Sequence, residues 1–293
     1  MRNFVLSTFI SATLAVGGVA EAADGNWSGF YGGGNAGYAW GNTDNTLTIS
    51  DAPIANCHFC APIFPGPTAS GQDAALAQAS GSPAFNPRGF SGGAQIGYNW
   101  QTSNLVFGAE IDFGAFSQRQ TASSSFSLPG STATSSCIDG GVVATSCAGN
   151  FSTSVKADWL LTVRPRIGYA WGQTLAYLTG GLAVTHLSFS QSYSDNINIV
   201  SGNSGGSITT SSSQTKLGWV VGGGFEQLLA GGNWSIRAEY LYVRFDGLGA
   251  SGRLSHFTPG VGTDYADFSN SLDHFSSNIV RVGLNYRFGA PAP

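Results

Sequence analysis

Residues 89–116 read GFSGGAQIGYNWQTSNLVFGAEIDFGAF, and their alternation decides the fold. Phe90, Gly92, Ala94, Ile96, Tyr98 and Trp100 fall on one face of an extended chain, with Ser91, Gly93, Gln95, Gly97 and Asn99 on the other. After the break Thr102-Ser103-Asn104 a second run sets Leu105, Phe107, Ala109, Ile111 and Phe113 against Gly108, Glu110, Asp112 and Gly114. Two alternating runs joined by so short a polar link read as an antiparallel hairpin. Both apolar faces are too continuous for a surface in water.

The same signature recurs along the chain, at about 28–41, 89–101, 105–116, 158–171, 174–188, 216–229, 234–245 and 278–288. Each run approaches the nine to eleven residues with which a tilted strand crosses a bilayer. The connections alternate between long (42–88, 117–157, 189–215, 246–277) and short (Thr102–Asn104, Gly172–Gln173, Ala230–Asn233). Long outer loops and tight inner turns are the plan of an outer-membrane barrel. The expected fold is all-β: an eight-stranded antiparallel transmembrane β-barrel with four extracellular loops, occupying residues 23–293 in the cell outer membrane.

Composition agrees. Only 10% of the 293 residues are charged, against about 25% in a soluble domain, and 42 are Gly. The mean hydropathy is +0.04, and no uncharged apolar stretch after the first residues is long enough for a transmembrane helix. A net charge of -4 without a basic run removes the footprint of a nucleic-acid binder. Residues 1–22 read as a signal peptide: Arg2, an apolar stretch from Phe4 to Val19, then Ala20-Glu21-Ala22.

Charged residues within the spans share the lumen parity. Glu110, Asp112, Glu226 and Glu239 stand against Arg164, Arg166, Arg237 and Arg281. Strands three and four are neighbours, so Glu110/Asp112 can face Arg164/Arg166 across one ladder, with Glu226, Arg237/Glu239 and Arg281 continuing it. Eight strands leave an interior that side chains fill, so the network is expected to hold a narrow barrel rather than line a channel. Tryptophans are expected to form two interfacial girdles, with Trp27, Trp100, Trp171 and Trp234 at the periplasmic ends and Trp40, Trp159 and Trp219 at the outer ends. Pro165, inside the fourth run, marks a bulge or a lost ladder bond. The fifth run, TLAYLTGGLAVTHLS, is apolar in both parities, so its lipid face stays unassigned.

The stretches WSGFYGGGNAGYAWG, GGAQIGYNWQ, FGAEIDF, DWLLTVRPRIGYAWG, GWVVGGGFEQ, WSIRAEYLYVRF and VRVGLNYRF together resemble the small porin-family outer-membrane proteins of alphaproteobacteria, a group that includes outer-membrane immunogenic proteins and haem-binding barrels. The resemblance covers most of 23–289 outside the loops. It implies an eight-stranded barrel delivered by the barrel assembly machinery, which reads an aromatic C-terminal strand; here Phe288 is followed by GAPAP.

Chemistry is sparse. His58, His256, His274 and His186 show no ligand spacing for a metal, and no cofactor is expected. Cys57-His58-Phe59-Cys60 lacks the His that follows a c-type haem attachment. His186 and Ser188 share a strand face without a visible orienting acid. Export leaves Cys57, Cys60, Cys137 and Cys147 in an oxidising compartment; pairing within each loop is expected, with cross-loop pairing or free thiols as alternatives. The fourth loop gathers Asp264, Asp267, Asp273, His256 and His274, as solvated filler or as a site for a cation or haem. The expected function is non-catalytic, structural or surface-exposed. A small solute channel and a surface receptor for a small ligand such as haem at the extracellular loops are the alternatives. The expected partners are outer-membrane lipid and the assembly machinery.

Overall fold

The computed structural model describes residues 25–51, 70–129, 138–139, 142–143, 146–196, 205–230, 232–258 and 262–288. In chain order these form β1 (Gly29–Asp51), α1 (Ser70–Ser80), β2 (Ala84–Phe85), β3 (Arg88–Thr102), β4 (Leu105–Pro129), β5 (Ile138–Asp139), β6 (Val142–Val143), β7 (Ser146–Trp171), β8 (Thr174–Asp195), β9 (Ser207–Leu228), β10 (Trp234–Phe245), β11 (Leu248–Thr258), β12 (Gly262–Leu272) and β13 (Phe275–Arg287). The expected signal peptide, with Cys57, Cys60 and Cys137, lies outside the described residues, as does the Cys147 side chain.

Eight strands close a ring in the order β1–β3–β4–β7–β8–β9–β10–β13, every neighbour antiparallel. Closure leaves no open sheet edge for lipid to meet. The tight turns fall where the sequence puts them, with Ser103, Gly172 and Gly232 at positive φ. The outward parity is apolar because lipid is its solvent. On β8 the choice of face is unambiguous: Leu178 and Leu182 are 68% and 56% exposed, while Leu175 and Leu187 are fully buried inside. Both parities read as apolar because the lumen side of this strand meets apolar layers at either end.

Pro165 costs a rung without a bulge. Register is continuous from Val163↔Leu182 to Arg166↔Thr179 and through Ala109↔Pro165, and the Thr179 hydroxyl donates to the Pro165 carbonyl at 2.9 Å. The bulge lies further out, where register shifts between Ala115 and Gln118 on β4 and between Ala157 and Leu160 on β7.

Much of the expected loop sequence is strand. The β4–β7 ladder runs on from Gln118↔Ala157 to Pro129↔Ser146, and the β8–β9 ladder to Ser194↔Ser207. The expected fourth loop is the hairpin β11–β12, whose second strand pairs with the outer half of β1. Inside this head, Leu47, Phe126, Phe151, Tyr193, Leu254 and Phe268 pack against Ala74 and Ala77 of α1. The Gly81 carbonyl at the end of α1 accepts from Asn45 Nδ2 at 2.9 Å and Gln191 Nε2 at 2.8 Å, tying the helix to two walls. The outward side of the head is polar and regular. Thr121, Ser154, Ser190 and Ser211 form one row across β4, β7, β8 and β9; Ser123, Ser152, Ser192 and Thr209 form the next; Ser125, Asn150, Ser194 and Ser207 the third.

Candidate functional site: a charged, filled lumen

At mid-membrane depth the four acids and four arginines expected from parity all point inward and are buried. They meet across the barrel as well as along its wall. Arg164 contacts Glu110 and Asp112 (2.8 Å), then crosses to Glu239 at 3.0 Å. Arg281 reaches Glu239 at 2.7 Å and Asp112 at 3.2 Å. Arg237 bonds Glu110 at 2.5 Å. Along the wall the expected arrangement holds for Glu110↔Arg164 and Glu239↔Arg281, with Arg164 also reaching Asp112 across the same β4–β7 ladder. Arg166 lies 3.9 Å from Glu110 and pairs instead with Glu226 at 3.2 Å. Shared bonds of this kind repay the desolvation of ions only when the remaining lone pairs are also met.

On the carboxylates they are met by neutral groups that parity alone did not single out, while Arg164 Nε, Arg166 Nη2 and Arg237 Nε and Nη2 find no hydrogen-bond partner among the described residues. Tyr31 donates to Glu110 at 2.7 Å and Tyr177 to Glu239 at 3.0 Å. Thr162 bonds Asp112, while Ser235 and Asn285 bond Glu226. The Arg166 guanidinium lies between the Tyr31 and Tyr177 rings, 4.6 and 5.0 Å from their centroids. Each ring sits over a cross-strand glycine, Tyr31↔Gly97 and Tyr177↔Gly224. A Cβ on either glycine would collide with the phenol. The findable signal was a Tyr and a Gly on facing lumen positions, visible only once register is known.

Apolar layers cover the charges at both ends. Above lie Phe116, Leu160, Leu241, Val243, Phe245, Phe275 and Ile279. Below lie Trp27, Val106, Ala170, Leu175 and Leu228. Trp27 thus departs from the expected girdle: it is 1% exposed, plugs the periplasmic mouth, and carries the Arg287 guanidinium 5.7 Å from its ring. Residues 25–28, just before β1, fold back under the barrel, held by the Trp27 backbone N–H donating to Gln101 at 2.6 Å. Arg287 is a fifth lumen arginine outside the expected set. Trp40, Trp100, Trp171, Trp219 and Trp234 are exposed on the outer wall, with Trp159 partly so.

The other expected groups separate. His186 meets Ser213 at 2.8 Å and Thr215 at 3.5 Å, and Ser188 meets Ser213 at 2.8 Å, all on the outward face. Asp267 is held by Arg253, while Asp273, just past β12, lies 3.3 Å from His274, so these two acids take separate partners; the Asp264 side chain lies outside the described residues. Among the described residues no three His, Cys, Asp or Glu side chains gather as metal ligands.

A closed eight-stranded ring with an apolar belt outside and ions inside defines an outer-membrane β-barrel protein. The chain belongs to the family described as the outer membrane protein beta-barrel domain, whose model matches residues 9–288. It is 33% identical over 267 residues to the 31 kDa outer-membrane immunogenic protein of Brucella melitensis, covering 90% of this chain and 84% of the relative. It is 27% identical over 200 residues to a 22 kDa outer membrane protein of Rhizobium leguminosarum, covering 68% and 67%. Among solved structures it is similar to Ail, the attachment invasion locus protein of Yersinia pestis, with TM-score 0.34, 13% identity and coverage of 89% and 99%. Neisserial surface protein A gives TM-score 0.32, 12% identity and coverage of 89% and 98%.

Proposed function

We propose that this protein is a closed, non-catalytic barrel that carries a β-structured head at the cell surface, a structural and surface-exposed role. The observation supporting it is the stacking inside the wall. An apolar plug around Trp27, the ion layer, the Phe116–Phe275 layer, and a head core stoppered by α1 follow one another along the axis. Such a sequence of layers supports a filled interior over a path for a solute. The immunogenic naming of the Brucella relative agrees with an exposed head.

Conductance tests it. Purified protein in planar bilayers at high salt is expected to pass no steady ohmic current. Reproducible unitary steps that vanish on neutralising Arg164 or Arg166 would overturn the reading in favour of a solute channel.

A further inference from the structure

Arg88, Arg119 and Lys156 stand side by side on β3, β4 and β7, in register as Arg88↔Arg119 and Arg119↔Lys156. All three lie on the outward parity. Like charges directly opposite one another in a sheet repel. Lys156 has Asp158 at 2.6 Å, but among the described residues neither Arg88 nor Arg119 forms an ion pair. The row lies three residues beyond Trp159, roughly 10 Å along the strand at about 3.3 Å per residue, at the depth where lipid phosphates sit. Beyond it, charge stops and the three hydroxyl rows begin. A shallow groove of about 650 Å³ runs along the upper two, lined by Ser123, Ser152, Ser192 and Thr209 among others.

We infer that this face binds a phosphorylated glycolipid of the surrounding outer leaflet, with phosphates on Arg88 and Arg119 and saccharide against the hydroxyl rows. Phosphate removes the repulsion that the cationic row otherwise carries, and guanidinium matches it bidentately. Hydroxyls both donate and accept, as sugar hydroxyls do, and an uncharged array suits a neutral saccharide better than an acidic protein surface. The third row stands about 20 Å beyond the cations along the strands, at six residues of about 3.3 Å, further than a phospholipid headgroup extends. The face also rises directly from the apolar belt at Phe113 and Trp159, where acyl chains lie, which favours a lipid-borne sugar over a free one.

The full-length protein in detergent micelles is titrated with lipopolysaccharide, its dephosphorylated form, its deacylated oligosaccharide and phosphatidylglycerol, and binding is read by native mass spectrometry. R88Q/R119Q is expected to weaken lipopolysaccharide at least tenfold and to leave the dephosphorylated form unchanged. S152A/S192A/T209V is expected to weaken lipopolysaccharide several-fold and to leave unaffected the binding of lipid A, titrated alongside as the anchor lacking the core and outer saccharide. Heat-modified electrophoretic mobility reports that each variant is folded. Unaltered lipopolysaccharide binding by either folded variant would overturn the inference. So would phosphatidylglycerol or the deacylated oligosaccharide binding the unmodified protein as tightly as lipopolysaccharide, an arm that needs no variant. The outcome is independent of whether the lumen conducts.

Discussion

Arg237 on β10 donates to Glu110 on β4 across the full width of the barrel, since the two strands stand four places apart in a ring of eight. A bond along the wall would stiffen one ladder; this one ties opposite sides. Glu110 also receives Arg164 and the Tyr31 hydroxyl. Glu110→Ala strands Arg237, whose next carboxylate, Glu239, is 3.9 Å away. Breaking a buried pair from one side costs roughly 3–5 kcal/mol. Urea unfolding in lipid vesicles is expected to show a loss of that order. The double variant Glu110→Leu/Arg237→Met should lose less than the sum of its single changes, because no unpaired charge is left inside.

Trp27 gives a sharper optical test. A single-Trp variant retaining Trp27 is expected to emit at short wavelength and to resist quenching by brominated lipid chains, because the ring is sealed inside the periplasmic mouth. A variant retaining Trp100, 60% exposed to the lipid side, is expected to be quenched strongly. Equal quenching of the two would return Trp27 to the interfacial girdle.

What the sequence disclosed follows from what two-residue periodicity encodes. Parity separates lipid from lumen wherever the two differ in polarity, so Glu110, Arg164, Arg237 and Arg281 were assigned inward from spacing alone. Parity carries no register, so it could not tell that Arg166 turns to Glu226 or that Tyr31 lies over Gly97. The head was hidden by composition. In 117–127 and 150–157 Ser, Thr and Asn fill most of the outward positions while Phe126, Phe151 and Val155 fill inward ones, and a segment so rich in Ser and Thr reads as loop when its alternation is ignored. Trp27 was misplaced because it precedes β1, where strand parity no longer applies.

The tie between α1 and the walls predicts a local effect. Asn45→Leu/Gln191→Leu removes both donors to the Gly81 carbonyl, and an unsatisfied buried acceptor costs about 1–3 kcal/mol. Amide hydrogen exchange across 70–82 is expected to accelerate while exchange within 105–116 stays at its original rate. Faster exchange in both segments would mean that α1 and the transmembrane ring unfold as one unit.

The Arg253–Asp267 pair on β11–β12 supplies a prediction in pH. Arg253 donates twice to Asp267, at 2.6 and 2.7 Å, and these bonds hold the Asp267 carboxyl below its ordinary range. A carboxyl whose folded value is depressed contributes stability above its unfolded value, near pH 4, and loses that contribution as pH falls through the lower folded value. Both groups are exposed, so the effect on overall stability is small and screened by salt. The local titration is where it shows. Carboxyl NMR of Asp-labelled protein is expected to place Asp267 below the ordinary aspartate range, and Arg253→Gln is expected to move it back up. High salt should narrow the difference between the two proteins. An Asp267 titration that Arg253→Gln leaves unchanged would show that the hairpin holds its register without this pair, through Leu248, Ala250 and Leu254 packed inward against the barrel mouth.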